Sequence, residues 1–232
     1  MNIAKQIQSI RSELPANVRL IAVSKIHPVE TILEAYQAGQ RIFGENKAQE
    51  LVQKYETLPK DIEWHFIGHL QTNKIKYIIP FVSMIHSIDS EKLLWEVNKN
   101  AEKVNRKINI LLQIHIAKEE TKYGFSEEEC LEFLKSGAYK TFNHIQICGL
   151  MGMATFTNDM PAVRSEFEQL AAFFNRLKQE FFLSEPTFNE LSIGMSDDYR
   201  EAIAAGSTLV RIGSKIFGER QLLKSRKNYS SG

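Results

Sequence analysis

Cysteine is scarce. The 232 residues contain only Cys130 and Cys148, too few for the disulfide framework of a small secreted domain. Long apolar runs are missing as well: no window of ~18 apolar residues occurs, which argues against a membrane-spanning helix. Neither sign of charge dominates, with 29 Lys+Arg against 28 Asp+Glu and a formal net charge of +1. That balance argues against binding to nucleic acid or to an anionic membrane through a basic field. The first residues lack the continuous apolar stretch of a signal peptide. Ile3, Ile7 and Ile10 recur at helix spacing, with Lys5, Gln6 and Gln8 between them. These absences predict a reduced, cytosolic setting.

What is present reads as an ordinary globular chain: 43% hydrophobic residues, 25% charged and 14 Phe. A chain of this size buries roughly 70% of its unfolded surface, enough for one large core. Eight β-rich runs fall at Val18–Lys25, Arg41–Phe43, Trp64–Ile67, Val82–Ser87, Asn109–His115, His144–Leu150, Phe188–Ile193 and Leu209–Ile212. Helix-period runs separate them. Examples are Val29, Ile32, Leu33 and Tyr36 after Pro28, the capping-box pair Ser126 and Glu129, and Val163 to Leu177. Ser196 to Ala205 reads as a short helix ended by Gly206. Strict alternation predicts a parallel sheet, and eight strands predict a single closed (β/α)8 TIM barrel rather than an open doubly wound sheet. Residues 1–221 are expected to form the barrel, and 222–232 a flexible basic tail.

In such barrels the working face lies at the C-terminal ends of the strands. Ser192-Ile193-Gly194-Met195-Ser196 follows strand seven, and Arg211-Ile212-Gly213-Ser214 follows strand eight. Turns of this kind suit a phosphate; an ordinary serine cap with Asp197 and Asp198 fits the first one equally well. Lys25 ends strand one, beside strand eight in a closed barrel, within reach of a phosphate held there. A lysine in that place suits Schiff-base chemistry with a carbonyl compound, or is merely a solvated strand-end charge. Phosphate, aldehyde and lysine together suggest pyridoxal 5′-phosphate (PLP). Arg211, between Val210 and Ile212, needs a partner for its charge, either a ligand ring nitrogen or a structural acid.

Five blocks occur in order along nearly the whole chain: Val23-Ser24-Lys25-Ile26-His27-Pro28, Phe43-Gly44-Glu45-Asn46, His65 to Lys74, Leu191 to Asp198, and Val210-Arg211-Ile212-Gly213. Together they resemble the pyridoxal phosphate homeostasis protein family, short relatives of the alanine racemase N-terminal barrel. The resemblance implies that Lys25 carries PLP as an internal aldimine with Asn46 beside it. It implies that Ser196, Gly213 and Ser214 hold the phosphate, that Ser192 and Met195 line the same turn, and that Arg211 faces the pyridine nitrogen. Lys47, Ile193 and Gly152-Met153-Ala154 depart from the usual family text.

Other candidates read as structural. His65 and His69 lack the Glu and the helix of a zinc-protease pattern, so no metal site is expected, and His65 and His115 read as hydrogen-bonded barrel residues. Cys148 reads as inert core, Cys130 as a thiol disfavoured by neighbouring acids, and the Phe173, Phe174, Phe181 and Phe182 cluster as packing. Lys122, after strand five, either guards the mouth or sits on a surface turn. Racemisation needs an acid and a base on opposite faces of a carbanion. The resemblance places the second group in an extra domain, and the sequence after Arg211 is too short for one. Tyr123 and Tyr199 lie near the mouth but in no matching position. The expectation is a non-catalytic PLP carrier or buffer, with no catalytic residue, handing its cofactor to PLP-dependent apo-enzymes. The alternatives are a racemase-like enzyme and a phosphosugar barrel enzyme using Lys25. A monomer is expected, since no long apolar stripe marks an obligate interface.

Overall fold

The computed structural model describes residues 2–117 and 123–218. Among them, eight parallel strands close into one barrel in sequence order: β1 Arg19–Val23, β2 Ile42–Glu45, β3 Glu63–Phe66, β4 Met84–Ile88, β5 Ile108–Gln113, β6 Ile145–Met151, β7 Glu190–Ser192 and β8 Leu209–Ile212. Closure is made by β1 against β8, with Arg19 opposite Leu209 and Ala22 opposite Ile212. The barrel inferred from strand count is therefore the one observed.

Helices cover the outside: α1 Ile3–Glu13, α2 Val29–Gln37, α3 Ala48–Thr57, α4 Ile75–Ile78, α5 Glu91–Lys103, α6 Glu127–Ser136, α7 Met160–Glu180, α8 Tyr199–Ala204 and α9 Ser214–Phe217. Local chemistry starts them where expected. Pro28 precedes α2, and Ser126 and Glu129 close both hydrogen bonds of a capping box on α6. One boundary differs. Ser196 does not open a helix; α8 begins at Tyr199, and the Asp198 carboxylate accepts the Met195 N–H at 2.5 Å. An acid inside the turn satisfies that backbone donor locally and delays the helix. The last turn of helix, α9, is too short to show a period in sequence.

Two apolar layers result. The larger lies between strands and helices and includes Phe43, Trp64, Phe167 and Phe188. Phe188 stacks on Phe174 and Phe182, so the Phe-rich end of α7 is packing. The smaller, Ile21, Met84, Leu111, Cys148, Met151 and Leu209, fills the barrel interior. Residues two further along these strands point the same way. They are His86, Gln113 and Arg211, which form a polar layer above the apolar floor. Both thiols are buried and pushed up, Cys130 to about 12 and Cys148 to about 11, by desolvation first and acidic neighbours second. Neither is a nucleophile. No helix among the described residues is long and apolar enough to cross a membrane.

Candidate functional site

A cavity of about 660 Å³ opens at the C-terminal mouth of the barrel. Its volume is that of a small-molecule site, roughly 300–1,000 Å³. Lys25, Asn46, Met195, Ser196, Arg211, Gly213 and Ser214 line it together. Arg211 lies within β8 and the others come from the turns after β1, β2, β7 and β8, so closure of the barrel brings together residues almost two hundred positions apart in the chain.

Ser192 is the exception among the candidate binding residues. It is fully buried beneath the cavity and is not part of its wall. Its neighbours explain the correction: its hydroxyl points into the barrel and is engaged by the Arg211 guanidinium, which lines the cavity in its place. The Arg211 guanidinium donates to Ser192 O at 2.7 Å, to Ser192 Oγ at 2.6 Å and to Gly152 O at 3.0 Å. These are neutral acceptors. Among the described residues no acid forms an ion pair with Arg211, so the structural salt bridge does not hold. Desolvation lowers the guanidinium to about 10, which leaves it charged at neutral pH.

The polar layer continues as a chain. His86 Nδ1 lies 2.9 Å from Ser192 Oγ, and His86 Nε2 lies 2.9 Å from His65 Nδ1. Guanidinium can only donate. Ser192 Oγ therefore accepts from Arg211, and each histidine tautomer sets which atom donates in the two contacts that His86 makes with Ser192 and His65. Desolvation first, then Arg19, holds His65 down at about 3; desolvation first, then His65, Arg211 and Arg19, holds His86 well below its usual value. Both rings are neutral at physiological pH. His65 is thus a hydrogen-bonded barrel residue, and no group of three His, Cys, Asp or Glu suited to a metal occurs among the described residues.

Two glycines shape the wall. Gly194 has φ +92°, and a Cβ there would lie 2.5 Å from the Ala202 side chain. Only glycine lets the turn after β7 fold back on α8. A Cβ on Gly68 would meet the Asn46 backbone at 2.4 Å, so this close approach sets Asn46 at the mouth. Asn46 Oδ1 is buried and lacks a hydrogen-bond partner among the described residues. An amide so placed matches a ligand hydroxyl or ring oxygen in either orientation. Ser196 Oγ accepts the Gly213 N–H at 3.3 Å, tying the turns after β7 and β8 together.

Tyr123 is half exposed and lines the mouth, its ring 5.3 Å from His69. Tyr199 is buried outside the cavity, where its hydroxyl donates to Glu13 Oε2 at 2.6 Å. Lys122 and residues 222–232 lie outside the described residues.

The sequence reading missed a cluster on β2 and α3. Lys54 Nζ donates to Glu45 Oε1 at 2.7 Å, Glu50 Oε1 at 2.6 Å and Ser24 O at 2.8 Å. Glu50 and Lys54 are spaced as an ordinary surface pair on a helix, and Glu45 lies past the end of the β-rich run Arg41–Phe43, so nothing in the sequence marked their burial. His86 was missed because its partner Ser192 is 106 residues away.

The model of the alanine racemase N-terminal domain matches residues 1–221. The pyridoxal phosphate homeostasis protein of Pasteurella multocida is 38% identical over 226 residues, 96% of this chain and 95% of that protein. That of Schizosaccharomyces pombe is 41% identical over 221 residues, 94% and 90% respectively. PipY of Synechococcus elongatus, solved with PLP bound, superposes with a TM-score of 0.84 at 36% identity, covering 93% of this chain and all of PipY. An alanine racemase of Clostridium difficile shares the fold alone, with a TM-score of 0.74 at 12% identity over 57% of its length. A barrel of this topology, with sequence identity at this level over nearly its full length, places the chain in the pyridoxal phosphate homeostasis protein family.

Proposed function

We propose that the cavity binds PLP through Lys25 and that the protein stores and releases the cofactor without strong catalysis of its own. The observation that carries this is the convergence of Lys25, Asn46, Ser196, Ser214 and Arg211 on one cavity, in a family whose member PipY was solved with PLP bound. The residues fit the group. Ser196 and Ser214 offer hydroxyls to a phosphate where the turns after β7 and β8 meet. Asn46 offers an open hydrogen-bonding position to a ring substituent. Arg211 presents a fixed positive charge to the ring nitrogen.

When bound, PLP supplies an aldehyde that a lysine amine captures as a C=N bond, its oxygen leaving as water. Arg211 disfavours a proton on the ring nitrogen, which weakens the ring as an electron sink. Its three hydrogen bonds below the cavity hold that charge in place. This favours holding over catalysis. So does the position of Tyr199, whose hydroxyl is engaged with Glu13. Handover to PLP-dependent apo-enzymes, action as a monomer and a cytosolic location complete the proposal.

The test is the visible spectrum of the purified protein before and after borohydride, with the labelled peptide mapped. A band that disappears on reduction and maps to Lys25, and is absent in Lys25→Ala, is the expected result. A protein that stays colourless with added PLP overturns cofactor binding and favours the phosphosugar reading. Sustained racemase turnover that Lys25→Ala abolishes overturns the carrier role.

A further inference from the structure

Lys25 sits in a turn whose flanking residues are both held from one side. Ser24 is fully buried; its hydroxyl donates to Glu45 Oε1 at 2.6 Å and its carbonyl accepts from Lys54 Nζ at 2.8 Å. On the other side, the Ile26 N–H donates to Glu50 Oε1 at 2.5 Å. Ile26 has φ +66°, a left-handed conformation that is rare and costly for a β-branched residue. Such a residue persists only where its surroundings impose it, at about 1–3 kcal/mol. Ile26 is half exposed, so apolar burial does not impose it; the turn is closed by the His27 N–H donating to Ser24 O at 3.1 Å and is fastened from outside by the bond to Glu50.

Lys54 joins the two ends of the device. Its buried ammonium touches Glu45, Glu50 and Ser24, and the carboxylate of Glu45 is wholly buried, its Oε2 without a hydrogen-bond partner among the described residues. A buried charge cluster with an unfilled acceptor gives weak support to stability, since replacing it by apolar packing is often neutral or better. A role in geometry accounts for it. We propose that Glu45, Glu50 and Lys54 are positioning residues that hold the turn Ser24–Ile26 in its left-handed form and so aim Lys25 into the cavity. This rests on Lys25 being the residue that captures the aldehyde.

The test uses full-length apoprotein and two ligands. PLP reports capture at Lys25, as the rate at which borohydride-fixable label accumulates there at saturating concentration. Pyridoxine 5′-phosphate, which lacks the aldehyde, reports the cavity and phosphate turns as an equilibrium Kd. Glu50 lies near the surface, so Glu50→Ala is expected to fold, and its labelling rate is expected to fall about tenfold or more, the scale of a misplaced reacting group. Its Kd for pyridoxine 5′-phosphate is expected to stay within about threefold of the parent. Adding Ile26→Gly, which takes φ +66° without strain, is expected to recover part of the lost rate. Lys54→Met is expected to lower the rate further.

An unchanged labelling rate in Glu50→Ala overturns the proposal. So does a parallel loss of pyridoxine 5′-phosphate affinity, which marks a merely structural role, or failure of Ile26→Gly to restore any rate. Absence of label at Lys25 in the parent protein is a different result: it removes the PLP reading itself.

Discussion

Arg211 keeps its charge in a fully buried setting on neutral acceptors alone among the described residues. Asp198 acts on it only at a distance, so the positive field stays directed at the cavity, where a direct ion pair would have cancelled much of it. Ser192 is the hinge of that arrangement, accepting from Arg211 and sharing a hydrogen bond with His86. Ser192→Ala removes one hydroxyl and strands a guanidinium N–H and a ring nitrogen. The expected cost is roughly 1–3 kcal/mol, read from urea unfolding. An unchanged midpoint would mean that water restores both bonds.

At the level of elements, the turn after β7 is the most constrained part of the site. Gly194 has a positive φ and no room for a Cβ against α8, while the Arg211 N–H donates to Gly194 O at 3.0 Å. Gly194→Ala is therefore expected to cost about 1–3 kcal/mol and to weaken PLP retention, because strain at the turn moves Met195 and Ser196. Dialysis of the loaded protein, followed by its spectrum, checks this. Far from the cavity, Ser126→Ala breaks the capping box of α6, whose bonds are 3.1 Å and 2.8 Å. About 1 kcal/mol of stability should be lost with retention of PLP unchanged. The pair separates damage to an element from damage to the site.

For the whole molecule, the buried histidines set a pH dependence. Their folded values lie below the unfolded value near 6.5, with His65 at about 3, so the unfolded chain binds more protons below pH 6.5. Their contribution is fully present above pH 6.5 and is lost as pH falls toward the folded values. The slope approaches about 1.4 kcal/mol per pH unit for each ring. Denaturant midpoints from pH 7.5 to 4.5 should drop below pH 6.5, and His65→Asn should flatten the drop. A flat profile in the parent protein would contradict the neutral assignment of both rings.

Much of this molecule was legible in the order of its residues. β-Rich runs and helix periods are local properties, so eight strands, the helices between them and closure into a barrel followed from spacing. Because strand ends define the mouth, Lys25, Asn46, Met195, Ser196, Arg211, Gly213 and Ser214 could be placed at the cavity from sequence. Ser192 could not, since its burial is set by Arg211 and His86, which come from other strands. Neither could the hydrogen-bonded chain through His86 nor the cluster of Glu45, Glu50 and Lys54. Those contacts join separate strands and a helix, and a spacing of four on α3 looks the same whether that face meets water or the Lys25 turn. The chain order determined the barrel and which residues reach its mouth. The tertiary structure alone decided which polar groups lose water together, and so which of them must hold the others in place.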